Sequence, residues 1–576
     1  MAEQAVSADS PGRPETELPA DPAAAAPEDR GAATRGQAAA TPADVGAAPD
    51  AGSGAHTPAG PGAGSPADAT TRPADDSLAA SRAGSPAGGT RAERPATDSP
   101  ALPRAGHPAG HTTGPPPGAG PSAGAISPAH LDGIIARQEE IFVARQPESR
   151  RLAERAGHAL AGGVTSSWQT TRPQPVWLSH GKGSKIYDVD GNEYVDLHGG
   201  YGVSLAGHGH PAIVEAVRSQ AALGTHFAQP APAAVLVAEE LTRRFGLPLW
   251  RFANTGTEAT MDAVHLMRAI TGRDLIIKVE GCYHGHHDSV QVSVCPEADE
   301  VGPRHKPAQV PSSTGIPRAI IDLTLVAGFN DLEGVARLLD EHPGQIAGMI
   351  IEPIMMNAGI ILPERGYLAG LKDLLHSRGV LLTFDEVKTG LTAGPGGAAG
   401  LTGVTPDIIC LAKAIGGGIV VAAIGGTEEA MGHVVRGDYE MVGTFNGNPL
   451  AMAACRAMLY EVATPAAYAR IEVLRQQAVT GLQREIDRNG LQAHVVSVGA
   501  KGCVVFSADP VRDFRAFLTI DDAYSQAHWL YQHNGGVFLP PWGKSEQWLI
   551  SVQHDEADMG RLTGNFAAFA AAVAGR

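Results

Sequence analysis

The chain has 576 residues and a net charge of −17, with 61 acidic and 44 basic side chains, and is long enough for two or more structural units. The acidic balance and the lack of a dense basic patch argue against nucleic acid as a partner. No apolar run reaches the roughly 20 residues that cross a bilayer, which argues against a membrane protein. The five cysteines are dispersed and odd in number, which favours a reducing, cytoplasmic location over a disulfide framework.

Residues 1–128 form a low-complexity segment of mostly Ala, Pro, Gly, Ser, Thr, Asp, Glu and Arg. This segment contains no Phe, Trp, Tyr, Cys or Lys, and the first aromatic residue of the chain is Phe142. A segment so poor in apolar side chains cannot offset the entropy lost on ordering. We therefore predict a disordered N-terminal tail over 1–128.

Residues 129–203 are predicted to be an N-terminal segment that packs on a small domain. The stretch "LDGIIARQEEIFVARQ" has apolar residues near helical spacing. In "GSKIYDVDGNEYVDLHGG", alternating apolar residues flank Asp190 and Gly191, which predicts a β-hairpin.

Residues 204–465 alternate between short apolar strands and helices, as in "DLIIKVEG", "IAGMIIEPI", "GYLAGLKDLLHSRG", "VLLTFDEV" and "PDIICLAKAIGGG". This alternation predicts a large α/β domain with a mostly parallel sheet covered on both faces. In such sheets ligands bind outside the carboxyl ends of the strands. Residues 466–576 mix strands and helices differently and are assigned to a smaller C-terminal α/β domain.

Four chemically distinct groups follow predicted strands or begin predicted helices. Asp385 ends a buried strand, Lys413 follows another strand before a glycine-rich loop, and Tyr283 follows a third. Gly256 and Thr257 begin a helix, where free N–H groups favour an anion such as phosphate. A lysine for an imine, a carboxylate for a pyridine nitrogen, an aromatic face and a phosphate site together suit pyridoxal phosphate.

The chain resembles the class III, fold-type I pyridoxal-phosphate-dependent aminotransferases, and among them most closely the glutamate-1-semialdehyde 2,1-aminomutases. The likeness runs from about residue 162 to the C-terminus and is carried by "GGVTSS", "YDVDGNEYVDLHGGYG", "GHGHP", "NTGTEA", "GCYHGH", "IIEPIMMNAG", "TFDEVKTG", "LAKAIGGG" and "GTFNGNPLAM". The resemblance implies a mostly parallel seven-stranded sheet in the large domain. It also implies a homodimer with shared active sites, acting on small amino and oxo acids.

The resemblance also implies a role for each matching residue. Lys413 would form the Schiff base, Asp385 would pair with the ring nitrogen, and Tyr283 would stack on the ring with His284 nearby. The other implied contacts are Val387 on the second ring face, Asn357 at the phenolic oxygen, Gly256 and Thr257 at the phosphate, Thr444 reaching the partner subunit's phosphate, and Ser166, Tyr201 and Glu546 at the substrate. No metal is implied.

Two positions depart from the family pattern on the substrate side. Gln169 stands where the aminomutases have an arginine that binds the substrate carboxylate, and Arg172 lies close by in the sequence. Thr392 stands where "DEV-x-TG" is usually followed by an arginine. The cofactor positions match, whereas these substrate positions do not.

The sequence thus predicts a pyridoxal-phosphate-dependent aminotransferase that moves an amino group between an amino compound and an oxo acid. One alternative is intramolecular transfer of the glutamate-1-semialdehyde 2,1-aminomutase type. A remote alternative is a metal-dependent hydrolase that uses His284, His286, His287 and Asp288, whose side chains are metal-ligand types at close spacing. A third is a non-catalytic scaffold, which loss of the lysine or the aspartate would indicate; both are present.

Overall fold

The computed structural model describes residues 127–541 and 543–576. The predicted tail therefore lies outside the described residues, apart from its last two positions. There, Ser127 caps the first helix by accepting the backbone N–H of His130 at 3.3 Å, and the helix begins at Pro128. Within the described ranges, no helix combines the length and hydrophobicity needed to cross a bilayer.

The described part of the chain contains helices and strands in alternation through its centre. The helices are α1 (Pro128–Ala144), α2 (Pro147–Ala156), α3 (Pro211–Leu223), α4 (Pro232–Phe245), α5 (Gly256–Thr271), α6 (Arg318–Ile321), α7 (Leu332–Glu341), α8 (Tyr367–His376), α9 (Gly397–Thr402), α10 (Glu428–Arg436), α11 (Pro449–Ala457), α12 (Pro465–Asn489), α13 (Phe514–Leu518), α14 (Asp522–Asn534) and α15 (Glu556–Val573). The strands are β1 (Leu178–Lys182), β2 (Lys185–Asp188), β3 (Glu193–Asp196), β4 (Leu249–Ala253), β5 (Leu275–Val279), β6 (Thr324–Ala327), β7 (Ile346–Ile351), β8 (Leu381–Asp385), β9 (Ile408–Leu411), β10 (Ala422–Gly426), β11 (His494–Val498), β12 (Lys501–Val505), β13 (Val537–Phe538) and β14 (Trp548–Leu549).

A seven-stranded sheet in the order β4-β10-β9-β8-β7-β5-β6 forms the centre of the molecule. Strand β10 runs antiparallel to both of its neighbours, and the other pairs are parallel. Consecutive residues such as Ile350 and Ile351 pack into different buried clusters, because side chains alternate between the faces of a strand. Both faces are therefore covered, and the predicted mostly parallel seven-stranded sheet is confirmed.

Two smaller sheets flank this centre. In the first, β2 and β3 form the predicted hairpin around Asp190 and Gly191, and β13 adds to β3 in parallel from the far end of the chain. In the second, β11, β12 and β14 pair antiparallel. Helix α1 packs on α14, where the Phe142 and Trp529 rings lie 5.5 Å apart.

The carboxyl ends of β7, β8 and β9 lie side by side, because these three strands are parallel neighbours in the sheet. Glu352 follows β7, Asp385 ends β8 and Lys413 follows β9. The fold therefore gathers three chemically active side chains from positions up to about 60 residues apart in sequence at one edge of the sheet.

Candidate active site

Asp385 is held at the end of β8 by two hydrogen bonds. His284 Nδ1 lies 2.8 Å from Asp385 Oδ2, and the backbone N–H of Val387 donates to Oδ1 at 3.0 Å. Asp385 and His284 are both buried. A carboxylate has about four lone-pair sites, so a ring nitrogen can still donate to Asp385.

The neighbouring acid, Glu386, faces the opposite way and has a structural role. It accepts the backbone N–H groups of Ala398 at 2.6 Å and Ala399 at 2.7 Å, at the start of α9. Burial raises the pKa of Glu386 to about 7. The two adjacent acids therefore serve different purposes, since successive side chains of an extended segment point to opposite sides.

Lys413 is half-buried and follows β9 after one residue. Its backbone has a positive φ of 51°, which is unusual for a residue with a side chain and is found most often where function requires it. Burial, with the nearby charge of Lys388, lowers the pKa of Lys413 to about 8. The carboxylates of Asp385, Glu546 and Glu352 act on it in the opposite direction.

The start of α5 is shaped to receive an anion. Thr255 caps the helix by accepting the N–H of Glu258 at 3.3 Å, which leaves the first N–H groups, those of Gly256 and Thr257, without helical partners. A Cβ on Gly256 would lie 2.9 Å from both methyl groups of Val387. The lack of a side chain at Gly256 thus lets the helix terminus approach the β8 end.

Glu352 connects three groups of the site. Its Oε1 accepts the backbone N–H of Tyr283 and the Asn357 amide, each at 2.8 Å, and its Oε2 accepts the N–H of Met356 at 2.7 Å. Glu352 is buried. It therefore fixes Tyr283 and Asn357 relative to each other, a role that the sequence does not reveal because Tyr283 lies 69 residues from Glu352 along the chain.

An aromatic wall joins the predicted ring-stacking residue to the predicted substrate residue. The Trp168 ring lies 5.6 Å from the Tyr283 ring, edge-on, and 5.3 Å from the Tyr201 ring. The Tyr201 hydroxyl donates to the Trp168 carbonyl at 2.8 Å. Trp168 was not predicted from the sequence, although it directly follows the motif "GGVTSS" that carries the resemblance.

Lys388 and Glu546 form a buried ion pair beside this wall. The Nζ of Lys388 lies 2.9 and 3.0 Å from the two carboxylate oxygens of Glu546 and donates to the Met356 carbonyl at 2.8 Å. That carbonyl also accepts the side-chain amide of Gln547 at 2.9 Å. Glu546 is thus already paired with a cation, and the sequence signal for this is the lysine within "DEVKTG".

Some sequence-predicted residues are exposed or make their hydrogen bonds within their own loops. Ser166 and Thr444 are exposed. Gln169 points back along its own loop, where its side-chain oxygen accepts both the backbone N–H and the hydroxyl of Thr165. Thr392 donates to the Lys388 carbonyl within its own turn. Gln169 and Thr392 therefore do not supply the positive charge of the arginines expected at these two positions.

The histidine cluster forms a hydrogen-bonding framework. His284 is bonded to Asp385, whereas His286 Nδ1 lies 3.3 Å from the Thr257 hydroxyl and His287 Nε2 lies 3.4 Å from the Thr260 hydroxyl. Across 127–541 and 543–576, no group of three or more His, Cys, Asp or Glu is arranged to hold a metal ion. The metal-dependent hydrolase alternative is therefore not supported.

The residues at the sheet edge fit pyridoxal phosphate. Asn357 Oδ1, which is buried, has no hydrogen-bond partner among the described residues and is available to a polar ring substituent. The N-terminus of α5 suits a phosphate, Asp385 suits a ring nitrogen, and Lys413 is an amine with a lowered pKa. A ring that carries a phosphate, a pyridine nitrogen and an aldehyde matches these groups together.

Comparison with known proteins decides the family. The family model described as aminotransferase class-III matches residues 167–544. The chain belongs to the class-III aminotransferases. Among its curated relatives, the glutamate-1-semialdehyde 2,1-aminomutase of Desulforudis audaxviator is 37% identical over 418 residues, which cover 72% of this chain and 95% of that protein.

Solved structures of class-III relatives include both activities. An omega-transaminase from Sphaerobacter thermophilus is 32% identical, with a TM-score of 0.71, and the match covers 75% of this chain and 99% of that one. A glutamate-1-semialdehyde-aminomutase from Pseudomonas aeruginosa PAO1, solved in complex with PMP, is 27% identical with a TM-score of 0.72, covering 78% and 100%. This class-III aminotransferase is therefore an enzyme of the aminotransferase or aminomutase type with the predicted fold.

Proposed function

We propose that the protein is a pyridoxal-phosphate-dependent aminotransferase with Lys413 as its catalytic lysine. The observation that carries this proposal is the convergence of Lys413, Asp385 and the α5 N-terminus at one edge of the sheet. When bound, pyridoxal phosphate supplies an electron-accepting ring that holds an amino group and weakens the adjacent C–H bond.

The ring-binding residues have distinct tasks. The N–H groups of Gly256 and Thr257 bind the phosphate, and the Asp385 carboxylate holds a proton on the ring nitrogen. Asn357 bonds the phenolic oxygen. Tyr283 would stack on one ring face and Val387 would pack against the other. His284 acts at one remove, since its hydrogen bond orients Asp385.

Lys413 moves the proton. With its amine free, Lys413 Nζ would take a proton from the substrate carbon that carries nitrogen. Its pKa of about 8 leaves a useful fraction unprotonated near neutral pH. The Trp168–Tyr201–Tyr283 wall would lie along one side of this carbon.

Transfer between two molecules is the proposed reaction, and intramolecular transfer is the second candidate. The second is favoured by the 37% identity to an aminomutase. The first is favoured by the substrate positions, where Gln169 and Thr392 point into their own loops and Glu546 is paired with Lys388. The two reactions differ in whether turnover requires an added oxo acid as acceptor.

Borohydride reduction of the loaded enzyme, followed by digestion and mass spectrometry, tests the proposal. The pyridoxyl label is expected on Lys413, and Lys413→Ala is expected to bind cofactor without turnover. A label on another lysine would refute the assignment. Steady-state assays with an amine, with and without an oxo acid, separate the two reactions: turnover by pyridoxamine-loaded enzyme without an acceptor would favour the mutase.

A homodimer with shared active sites is part of the proposal. Val442 and Phe445, which flank Thr444, are 81% and 58% exposed, although both are apolar. Asn446 Oδ1 accepts the Asn254 amide at 2.9 Å, which anchors this loop near the α5 N-terminus. Burial of the loop by a second copy would carry Thr444 to the partner's phosphate.

Small amino and oxo acids are the proposed substrates, and the cytoplasm is the proposed location. The cytoplasmic assignment is supported by the cysteines, all five of which are free and four of which are buried. Reducing conditions suit such thiols.

A further inference from the structure

Lys278 is a buried cation in the central sheet, and its hydrogen bonds go to backbone carbonyls. It lies on β5 and is 0% exposed. Its Nζ donates to the carbonyl oxygens of Val279 and Cys282, each at 3.0 Å. Within the part of the chain that the structure describes, no carboxylate forms an ion pair with it. Because a buried charge without a charged partner is costly, a lysine at this position indicates a role other than stability.

The carbonyl of Cys282 and the N–H of Tyr283 belong to one peptide unit. This N–H donates to Glu352 Oε1 at 2.8 Å, so the unit meets a cation at its oxygen and an anion at its nitrogen. That arrangement is favourable, because the oxygen of a peptide dipole is its negative end and the N–H its positive end. Hydrogen bonds to charged groups are also stronger than those between neutral groups. Lys278 and Glu352 therefore hold this peptide unit from both sides.

The orientation of this peptide unit determines where the Tyr283 side chain leaves the backbone. A peptide unit is planar, so that fixing its oxygen and its N–H fixes the whole plane, including the bond to the Cα of Tyr283. A rotation of the unit would move the Tyr283 ring relative to the Trp168 ring, whose centre lies 5.6 Å away. The two hydrogen bonds thus act on the position of the aromatic ring through the backbone.

The turn that carries this peptide unit is held separately at its start. Two nitrogens of the Arg515 guanidinium donate to the two carboxylate oxygens of Glu280, at 2.8 and 2.9 Å. Gly281 has a positive φ of 83°, and a Cβ added there would lie 2.2 Å from the ring of Phe514. These contacts fix the first residues after β5, whereas Lys278 acts on the last peptide unit before Tyr283.

We propose that Lys278 is a positioning residue for the ring of Tyr283 and so for the face on which the cofactor stacks. Because Lys278 is fully buried, it acts through the Cys282–Tyr283 peptide unit. This role rests on the proposed function, since it assumes that Tyr283 stacks on the pyridoxal phosphate ring. It extends the machinery of the site from the ends of β7, β8 and β9 into the interior of β5.

Binding of pyridoxamine phosphate to the apoenzyme tests this role. This probe has an amine in place of the aldehyde, so its affinity contains no covalent bond to Lys413. Lys278→Met should weaken its binding by about tenfold, the loss expected for a hydrogen bond to a charged group. The matched control is Arg273→Met, since Arg273 also donates to backbone carbonyls, those of Ile346 and Gly379, at the opposite end of β5. The control should keep the wild-type affinity.

The same substitution in a Tyr283→Ala background separates positioning from a general loss of stability. Without the Tyr283 ring, Lys278 has no side chain to position, so Lys278→Met should change the affinity of this background by less than about twofold. A tenfold loss in the Tyr283→Ala background would overturn the proposal, as would wild-type affinity in Lys278→Met alone. If Lys278→Met does not fold, Lys278→Gln takes its place, and the same two outcomes refute the proposal.

The two proposals fail in different ways. Absence of the pyridoxyl label from Lys413 would refute the proposed function. Correct labelling of Lys413, together with equal binding of pyridoxamine phosphate by wild type and Lys278→Met, would refute only the positioning role.

Discussion

His284 Nδ1 lies 2.8 Å from Oδ2 of Asp385, and both side chains are buried beneath the carboxyl edge of the central sheet. This hydrogen bond fixes the direction of the carboxylate before any ligand arrives, so that little reorganisation is needed on binding. The side chain of the next residue, Glu386, points away from this edge of the sheet. It accepts backbone N–H groups at the start of α9 instead.

Asp385→Asn should lower turnover by about 100-fold or more, because a neutral amide does not stabilise the proton on a ring nitrogen. The cofactor should remain bound, as its absorption spectrum can show. The matched control is Glu386→Gln, which should lower the melting temperature and leave turnover within a few-fold of wild type. Equal losses of turnover in the two variants would contradict the assigned roles.

Gly256→Ala should weaken cofactor binding by about tenfold or more, because overpacking a close contact is destabilising. The added Cβ would stand 2.9 Å from both methyl groups of Val387 and displace it. Cofactor dissociation constants, measured by fluorescence on reconstitution of apoenzyme, give the result. Gly560→Ala is the control, since Gly560 lies within α15 with no atom within 4 Å of its added Cβ. It should leave cofactor affinity unchanged.

Glu352→Gln should lower both stability and cofactor affinity. Glutamine keeps one acceptor oxygen, so at least one of the three N–H donors now bound by Glu352 loses its partner, at a cost of about 1–3 kcal/mol. Urea unfolding and a cofactor titration measure the two effects. Glu240→Gln removes a buried acid that pairs with Arg243 and Arg244 on α4. That variant should lose stability alone, and a matching loss of cofactor affinity would argue against the positioning role of Glu352.

The stability of the protein should rise with pH above about 7, in part because of Lys501. Burial first, and then the charge of Lys388, lowers the pKa of Lys501 to about 7 in the folded state, against 10.5 for an ordinary lysine. Between these values the unfolded chain binds more protons than the folded one, so the free energy of unfolding increases with pH; below about 7 both states are protonated and the dependence ends.

Lys501→Met should therefore flatten this rise when urea unfolding is measured from pH 7 to 9.5. Lys413 and Lys278, each with a pKa lowered to about 8 by burial, contribute with the same sign, so part of the slope should remain. Lys306→Met, which removes an exposed lysine, should retain the full slope. A slope that is the same in Lys501→Met and in wild type would show that the pKa of Lys501 is not lowered in the folded state.

Val442→Asp should convert the proposed dimer to a monomer, because it places a charge on an apolar surface that the second copy would cover. Sedimentation gives the mass. Thr444→Ala should keep the dimer and weaken cofactor binding, since it removes a phosphate contact from the partner subunit. Val473→Asp changes another exposed valine, on α12, and serves as the control. A fully active, cofactor-loaded Val442→Asp monomer would refute the shared site.

Much of the central sheet could be predicted because its strands are continuous apolar runs. Strands β5, β7, β8 and β9 each occupy the stretch that the pattern indicates, and an acid or a lysine lies at or just after the end of each. The strand β10 was not predicted: "AAIGG" is short and weak in strand formers, and its antiparallel pairing with β4 and β9 supplies what local preference does not.

The supporting contacts of the site could not be predicted in the same way. Lys388 lies 158 residues from Glu546, and Tyr283 lies 69 residues from Glu352. No local spacing encodes such pairs, because they depend on which strands become neighbours. The motif residues could be picked out of the sequence by residue type and position. The roles of Trp168, Glu352 and Lys501 could not, because they depend on which residues surround them in the folded chain.

The Met356 carbonyl accepts hydrogen bonds from both Lys388 and Gln547. It therefore lies where the central part of the chain meets the C-terminal part. Ring-holding groups come from the ends of the central strands, whereas Lys501, Glu546 and Gln547 enter from the last fifth of the chain. Replacements in that final stretch can therefore change the surroundings of the Lys388–Glu546 pair while the ring-holding groups stay unchanged. Such an arrangement keeps the residues around the substrate and the residues that hold the cofactor ring on different parts of the chain.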